Sequence, residues 1–213
     1  MTEGARGRED RGAPATPSPP AAPAAPSSPA ASSSPGDAAR PLRLFLALDL
    51  PDDVRDALAA AGRAADPDVW RPVPPEALHI TLAFLGPRPP GDVDRIAPVL
   101  HAESVAPQLV LGDVLLLPPR RARVLTVEVH GPLAELQARV SAGLEAAGVY
   151  TPEARPFRAH VTIARLRPRV RSPRDAPLDL EPIAFAGRAV TLYASRLHPR
   201  GARYEPLVTQ RVR

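Results

Sequence analysis

Apolar runs along the chain predict short strands that alternate with helices. Residues 43–50 (RLFLALDL) form an apolar run typical of a buried strand, and the acidic residues after it indicate the start of a helix over 54–65. The run LHITLAFLG at 78–86 is rich in β-forming residues and ends at Gly86 and a group of prolines. A second helix is expected over 92–103. The first half therefore predicts the order strand, helix, strand, helix.

The second half of the chain continues with more strands. Residues 108–118 and 123–130 predict two strands joined by a short basic turn. Residues 132–147 predict an amphipathic helix with one apolar stripe, made of Leu133, Leu136, Val140 and Leu144. Three further strands are predicted at 158–167, 189–197 and 204–212. Together these elements predict an α+β fold.

The first 40 residues differ in composition from the rest. They contain eight prolines interleaved with Ala, Ser and Gly, and few large apolar residues. Such a segment cannot bury enough apolar surface to offset the entropy of ordering, so we expect a disordered tail over 1–40 and a folded domain over 41–213. The four arginines of the tail balance its four acidic residues, so the formal charge of +4 belongs to the folded domain.

Composition excludes several classes of protein. The chain has no cysteine, which rules out disulfides, thiolate metal sites and cysteine nucleophiles. No apolar run approaches the roughly 20 residues of a membrane helix, and no signal peptide is apparent, so we expect a soluble cytoplasmic protein. All 27 basic residues are arginine. This excess favours an anionic partner such as RNA, although the codon usage of a GC-rich genome would also replace Lys by Arg.

An internal repeat supplies the candidate chemistry. HITLAFLG at 79–86 resembles HVTIARLR at 160–167. Side chains alternate along a strand, so the His and Thr of each copy point to one face while the apolar residue between them points to the other. Each copy is therefore half of a polar site on an apolar backing. The two halves consist of His79 with Thr81 and His160 with Thr162.

Two histidines suit the cleavage of a cyclic phosphate. One neutral imidazole can take a proton from water, while the other, protonated, gives a proton to the departing ribose oxygen. Thr hydroxyls beside them can bind the non-bridging phosphate oxygens. A zinc site would need three or four ligands, and the chain has neither Cys nor an HxH or HExxH motif. We therefore expect no metal and no cofactor.

The paired HxT motifs resemble those of the 2H phosphoesterases, specifically the bacterial RNA 2',3'-cyclic phosphodiesterases, also called 2'-5' RNA ligases. The resemblance covers residues 41–213, including VWRPVPPEALHITLAFLG, PFRAHVTIARLR and LYASRLHPRGARYEPL. It implies a bilobal, pseudo-symmetric fold with two antiparallel sheets flanked by helices and the active-site groove between them. It also implies that a cyclic phosphate end of RNA is opened to a 2'-phosphomonoester, with His79 as proton donor and His160 as proton acceptor.

The residue three positions after each Thr differs between the copies. In similar enzymes an aromatic residue at this position stacks on a base and an arginine binds phosphate, which implies these roles for Phe84 and Arg165. Strict alternation, however, puts both on the core side, opposite the histidines. They reach the groove only if the strands twist or end there, and Phe84 is equally compatible with packing in the core.

Three functions remain open on the sequence. The first is the metal-independent hydrolysis of RNA 2',3'-cyclic phosphate ends, with possible reversal to 2'-5' joining. The second is an RNA-binding or nucleotide-binding module without turnover, and the third is a phosphodiesterase acting on a small cyclic nucleotide or a 2'-5' oligoadenylate. The expected partner is an RNA end or related nucleotide. A monomer is expected because one chain supplies both half-sites.

Overall fold

The computed structural model describes residues 40–198 and 201–213, which form nine strands and three helices. The strands are β1 Leu42–Asp49, β2 Trp70–Pro72, β3 Ile80–Arg88, β4 Gln108–Leu117, β5 Val124–His130, β6 His160–Leu166, β7 Ala184–Ala186, β8 Ala189–His198 and β9 Gly201–Arg211. The helices are α1 Asp52–Ala64, α2 Asp92–His101 and α3 Leu133–Ala146. Residues 1–39 of the predicted disordered tail lie outside the described residues.

The seven predicted strands and three predicted helices are all present, with ends that differ by a few residues. Two strands were not predicted, β2 and β7, and each is only three residues long. An alternating pattern needs at least four residues to be recognised, so strands of this length leave no signal. They form because neighbouring strands offer unpaired backbone groups to them.

The nine strands form one antiparallel sheet in the order β7-β4-β5-β6-β3-β1-β8-β9, with β2 also paired to β6. In the described residues, β3 and β6 pair only at Ile80 and Val161. The α+β prediction is confirmed, with one difference. The two predicted antiparallel sheets are two halves of a single sheet, joined at the middle residues of the two HxT motifs.

The helices pack on the sheet and bury its apolar side. Helix α1 lies against β2 and β6, α2 against β8 and β9, and α3 against β3 and α2. A side chain at Gly62 of α1 would come within 2.6 Å of the Ile163 carbonyl oxygen, so only glycine permits this close approach. Helix α1 therefore supports the strand that carries the second HxT motif. Within the described ranges, no helix combines the length and apolar character needed to cross a membrane.

Candidate active site

The two HxT motifs meet at their middle residues. Ile80 pairs with Val161 in antiparallel register, and both side chains are fully buried. Neighbouring residues of a strand point to opposite faces, so the residues beside this pair project away from the core. These four residues line one cavity of about 640 Å³: His79, Thr81, His160 and Thr162. The structure thus brings together the two half-sites that the repeat predicted.

Both imidazole rings are held by the same kind of hydrogen bond. His79 Nδ1 lies 2.8 Å from the carbonyl oxygen of Ala77, and His160 Nδ1 lies 2.8 Å from that of Arg158. A carbonyl oxygen only accepts, so each Nδ1 carries a proton and donates it. In the neutral ring the lone pair is then on Nε2, which in His79 accepts from the Thr81 hydroxyl at 3.1 Å. Nε2 is therefore the atom of each ring that can exchange a proton with a ligand.

A single turn before β3 positions the first imidazole. Pro75–Ala77 form one turn of 3-10 helix, in which the Ala77 amide donates to the Pro74 carbonyl at 2.9 Å. Proline favours the start of such a turn because its φ angle is already restricted to helical values. The turn directs the Ala77 carbonyl towards the ring two residues later. The PPEALH sequence thus fixes the orientation of His79 before the strand begins.

His79 lies against aromatic rings. Its ring centroid is 4.9 Å from that of Phe45 and 5.3 Å from that of Tyr204. Burial disfavours the imidazolium and lowers the pKa of His79 to about 4; the charges of Arg165 and a protonated His160 act in the same direction, and the backbone hydrogen bond opposes them. In the absence of a bound anion, His79 is therefore neutral at pH 7.

A β-bulge in β3 brings Phe84 to the groove, which corrects the expectation from strict alternation. Across the β1–β3 pairing, Leu46 lies opposite Ala83 but Ala47 lies opposite Thr81, so Leu82 is an extra residue. Leu82 and Ala83 both point into the core, each 3% exposed. A bulge changes which residues face each side of a strand. Phe84 is consequently 61% exposed and lines the cavity beside the imidazoles.

A second bulge does the same for Arg165. Across the β5–β6 pairing, Leu125 lies opposite Ala164 but Thr126 lies opposite Thr162, so Ile163 is the extra residue. Ile163 and Ala164 are both fully buried. Arg165 is exposed and lines the same cavity as the histidines. The two bulges fall at equivalent places in the repeat, so both copies direct the third residue after the Thr into the groove.

Three guanidinium groups line the cavity: Arg43, Arg71 and Arg165. Arg71 and Arg165 lie directly opposite each other in the β2–β6 pairing, a position in which like charges destabilise a sheet. Among the described residues, none of the three forms an ion pair. An anion bound between them would relieve the repulsion, so the cavity favours phosphate. The sequence indicated only Arg165, since Arg71 lies in an unpredicted three-residue strand.

An aromatic wall stands behind the first imidazole. Phe45 stacks on Tyr193 with ring centroids 5.3 Å apart and meets the edge of Tyr204 at 4.9 Å. The Tyr193 hydroxyl donates to Asp49 Oδ1 at 2.8 Å, and the Thr191 hydroxyl donates to Oδ2 at 2.7 Å. Burial raises the pKa of Asp49, and these hydrogen bonds oppose the rise. Asp49 therefore orients Tyr193. Tyr193 in turn positions the ring of Phe45, which packs against His79.

The described residues contain no group of three or more His, Cys, Asp or Glu side chains that could hold a metal ion. The independence from metal that the sequence predicts remains a prediction about the reaction, and a chelator in the assay tests it.

The fold and the site define a class of protein. An α+β fold that brings one HxT motif from each half of the sheet into a shared, arginine-lined groove is the arrangement of a two-histidine phosphoesterase. The chain belongs to the 2'-5' RNA ligase superfamily, because the model of that family matches residues 45–198, a range that includes both motifs.

Individual relatives agree with this assignment. A Thermus thermophilus protein named RNA 2',3'-cyclic phosphodiesterase is 33% identical over 189 residues, covering 78% of this chain and 88% of the relative. The Escherichia coli protein of the same name is 29% identical over 183 residues, covering 79% and 96% respectively. The crystal structure of Escherichia coli LigT complexed with 3'-AMP matches with a TM-score of 0.66 at 27% identity, covering 81% of this chain and 98% of LigT.

Proposed function

We propose that this protein hydrolyses the 2',3'-cyclic phosphate ends of RNA to 2'-phosphomonoesters. The observation that supports this most directly is the pairing of Ile80 with Val161, which directs two imidazoles into one cavity lined by arginines. Two relatives that share most of their length with this chain are named RNA 2',3'-cyclic phosphodiesterase. The catalytic domain extends over residues 41–213.

In this mechanism the phosphate lies between the two Nε2 atoms. The hydroxyls of Thr81 and Thr162 and the guanidinium of Arg165 bind its non-bridging oxygens. His160 removes a proton from water, the water oxygen bonds to phosphorus, and the bond from phosphorus to the 3' oxygen breaks. His79 gives its proton to that oxygen, so the product carries a 3'-hydroxyl and a 2'-phosphate.

The role of His79 as the proton donor requires that ligand binding raise its pKa. Burial lowers the pKa of His79 to about 4 in the protein alone, so the ring is neutral near pH 7. A phosphate anion at hydrogen-bond distance favours the imidazolium and raises the pKa again. His79 therefore becomes protonated when the substrate binds, and its imidazolium form exists mainly in the complex.

We also propose an oligomeric state and a cellular compartment for the protein. One chain supplies both histidines and the arginines, so the site needs no partner subunit and we propose a monomer. RNA ends of the cytoplasm are the proposed substrates, and the cytoplasm is the proposed compartment.

The decisive experiment is the hydrolysis of an RNA oligonucleotide with a 2',3'-cyclic phosphate end, in EDTA, followed by identification of the product phosphate. The parent is compared with His79→Ala, His160→Ala and, as a matched control, His101→Ala, whose ring is exposed on α2. A 2'-phosphate product formed by the parent and the control but not by the two groove variants supports the proposal. Tight RNA binding without turnover would indicate a binding module instead. Neither turnover nor binding would indicate a different cyclic phosphate substrate.

A further inference from the structure

The arginines of the candidate active site are the inner end of a larger basic surface. Arg71 of β2 and Arg165 of β6 line the cavity and lie opposite each other in the sheet. On the other side of β6, the amide of Leu166 donates to the carbonyl oxygen of Arg123 at 2.9 Å. The start of β5 therefore lies beside the end of β6, and three neighbouring strands bring arginines together where the cavity ends.

Two turns continue this basic surface beyond the cavity. The turn between β4 and β5, over residues 118–123, and the segment after β6 contribute five exposed arginines: Arg120, Arg121, Arg123, Arg167 and Arg169. We call these five residues the arginine surface. Within residues 40–198 and 201–213, none of them forms an ion pair.

The acidic residues nearest to the arginine surface do not neutralise it. Asp66 and Asp68 lie just before β2, where the guanidinium Nε of Arg167 donates to the Pro67 carbonyl at 2.6 Å. Asp66 Oδ1 accepts the amide of Asp68 at 2.8 Å, and neither carboxylate pairs with an arginine in the described part of the chain. Several uncompensated cations on one surface suit a partner that carries a row of negative charges.

The backbone at Arg169 is a second, independent observation. The Val170 amide lies 3.4 Å from the Arg167 carbonyl oxygen, which closes a turn with Pro168 and Arg169 at its centre. Arg169 has a φ of 66° and is the one residue other than glycine with a positive φ among those described. After a proline, this φ defines a type II turn, in which glycine or asparagine is favoured at that position. The chain thus keeps a long cationic side chain where the backbone favours glycine.

We propose that the arginine surface binds the backbone phosphates of the RNA strand whose cyclic end occupies the cavity. The inference rests on the proposed function and deepens it, since it makes a strand of several nucleotides a better substrate than a cyclic mononucleotide. The cavity holds the terminal phosphate, and the phosphates that precede it lie along the two turns. Guanidinium groups bind phosphate oxygens whatever the base, so this surface adds affinity without sequence preference.

The salt dependence of hydrolysis tests this surface. The substrates are adenosine 2',3'-cyclic phosphate and a single-stranded oligonucleotide with a cyclic phosphate end, each in about 50 to 200 mM KCl. The double variant Arg120→Gln/Arg121→Gln removes two cations of the arginine surface and no residue of the cavity. Arg211→Gln/Arg213→Gln is the matched control, because it removes the same charge from exposed residues on and after β9, the strand at the far edge of the sheet.

The parent should show a steeper fall of log kcat/KM with log salt on the oligonucleotide than on the mononucleotide. Each phosphate bound on a single strand contributes a slope of about −0.7, so the Arg120→Gln/Arg121→Gln variant should flatten the oligonucleotide slope by up to about 1.4. At low salt its kcat/KM on the oligonucleotide should fall about five-fold or more. Its kcat/KM on the mononucleotide should stay within about two-fold of the parent, as should that of the control on both substrates.

Arg169→Gly separates a binding role from a structural one. Glycine adopts a positive φ without steric cost, so this variant should keep or raise Tm while it lowers kcat/KM on the oligonucleotide alone. A residue that served only the fold would not combine these two effects.

Three outcomes would overturn the inference while leaving the proposed function intact. One is a parent with the same salt slope on both substrates, and another is an equal loss in the control variant, which would indicate a general effect of net charge. The third is an oligonucleotide slope that neither Arg120→Gln/Arg121→Gln nor Arg169→Gly changes. A parent inactive on both cyclic phosphates would instead refute the proposed function, and the inference with it.

Discussion

Replacing His79 with asparagine should weaken the pH dependence of stability in acid. The unfolded chain has the ordinary histidine pKa of 6.5, whereas burial lowers that of His79 to about 4 in the folded protein. As the pH falls from 6.5 towards 4, the unfolded state gains this proton while the folded state does not, so stability present above pH 6.5 is lost in that window. At about 1.4 kcal/mol for each pKa unit, the loss due to this ring is about 3 kcal/mol. Asparagine does not titrate, and its amide can still donate to the Ala77 carbonyl.

Urea denaturation at several pH values measures this effect. Trp70 is the single tryptophan and is 1% exposed, so its fluorescence reports global unfolding. Carboxylates also titrate near pH 4, and the difference between parent and variant removes their contribution. The same substitution at the exposed His101 is the control and should leave the parent's pH dependence in place. If His79→Asn loses as much stability as the parent between pH 7.5 and 4, burial does not lower the pKa of this imidazole in the folded protein.

Three further outcomes are expected from the groove. Binding of inorganic phosphate in the cavity should raise the pKa of His79, which NMR titration of the ring carbons can follow; a ring that stays neutral while His160 gains the proton would exchange the donor and acceptor roles. Arg71→Gln should raise Tm in phosphate-free buffer by removing the repulsion with Arg165, and should weaken the stabilisation that inorganic phosphate gives in a thermal-shift assay. Phe84→Ala should weaken nucleotide binding by about 1–3 kcal/mol in calorimetry with almost no change in Tm, since the ring is 61% exposed; a large drop in Tm would mean that it packs as a core residue.

The strands and helices longer than about six residues were predictable, because they bury one face and so impose a period on the sequence. Helix α3 is an example, with its apolar residues repeating every three or four positions. The order of strands was not predictable from periodicity. Strand β1 pairs with β8, which lies far away in sequence, and no local pattern encodes such a partner.

At the site, the repeat identified His79 and His160 because the same three-residue pattern occurs in two strands. The resemblance implied that Phe84 reaches the groove, but alternation along the strand predicted the opposite, since the orientation depends on the extra residue Leu82 and a β-bulge between apolar residues has no sequence signature of its own. Arg71 was missed for a different reason. It reaches the groove through the short strand β2, whose place in the sheet is determined by β6 and not by its own sequence.

The antiparallel pairing of Ile80 with Val161 has a consequence for the direction in which RNA is bound. Such a pairing relates the two HxT motifs by a local two-fold rotation, which exchanges one imidazole for the other. A site with that symmetry cannot by itself distinguish the two polarities of a nucleic-acid strand. The distinction must come from positions where the halves differ, and the residues at one such related pair of positions are Phe84 and Arg165. For an RNA strand bound as proposed, the aromatic ring of Phe84 on one side of the near-symmetric centre and the cation of Arg165 on the other distinguish the two polarities.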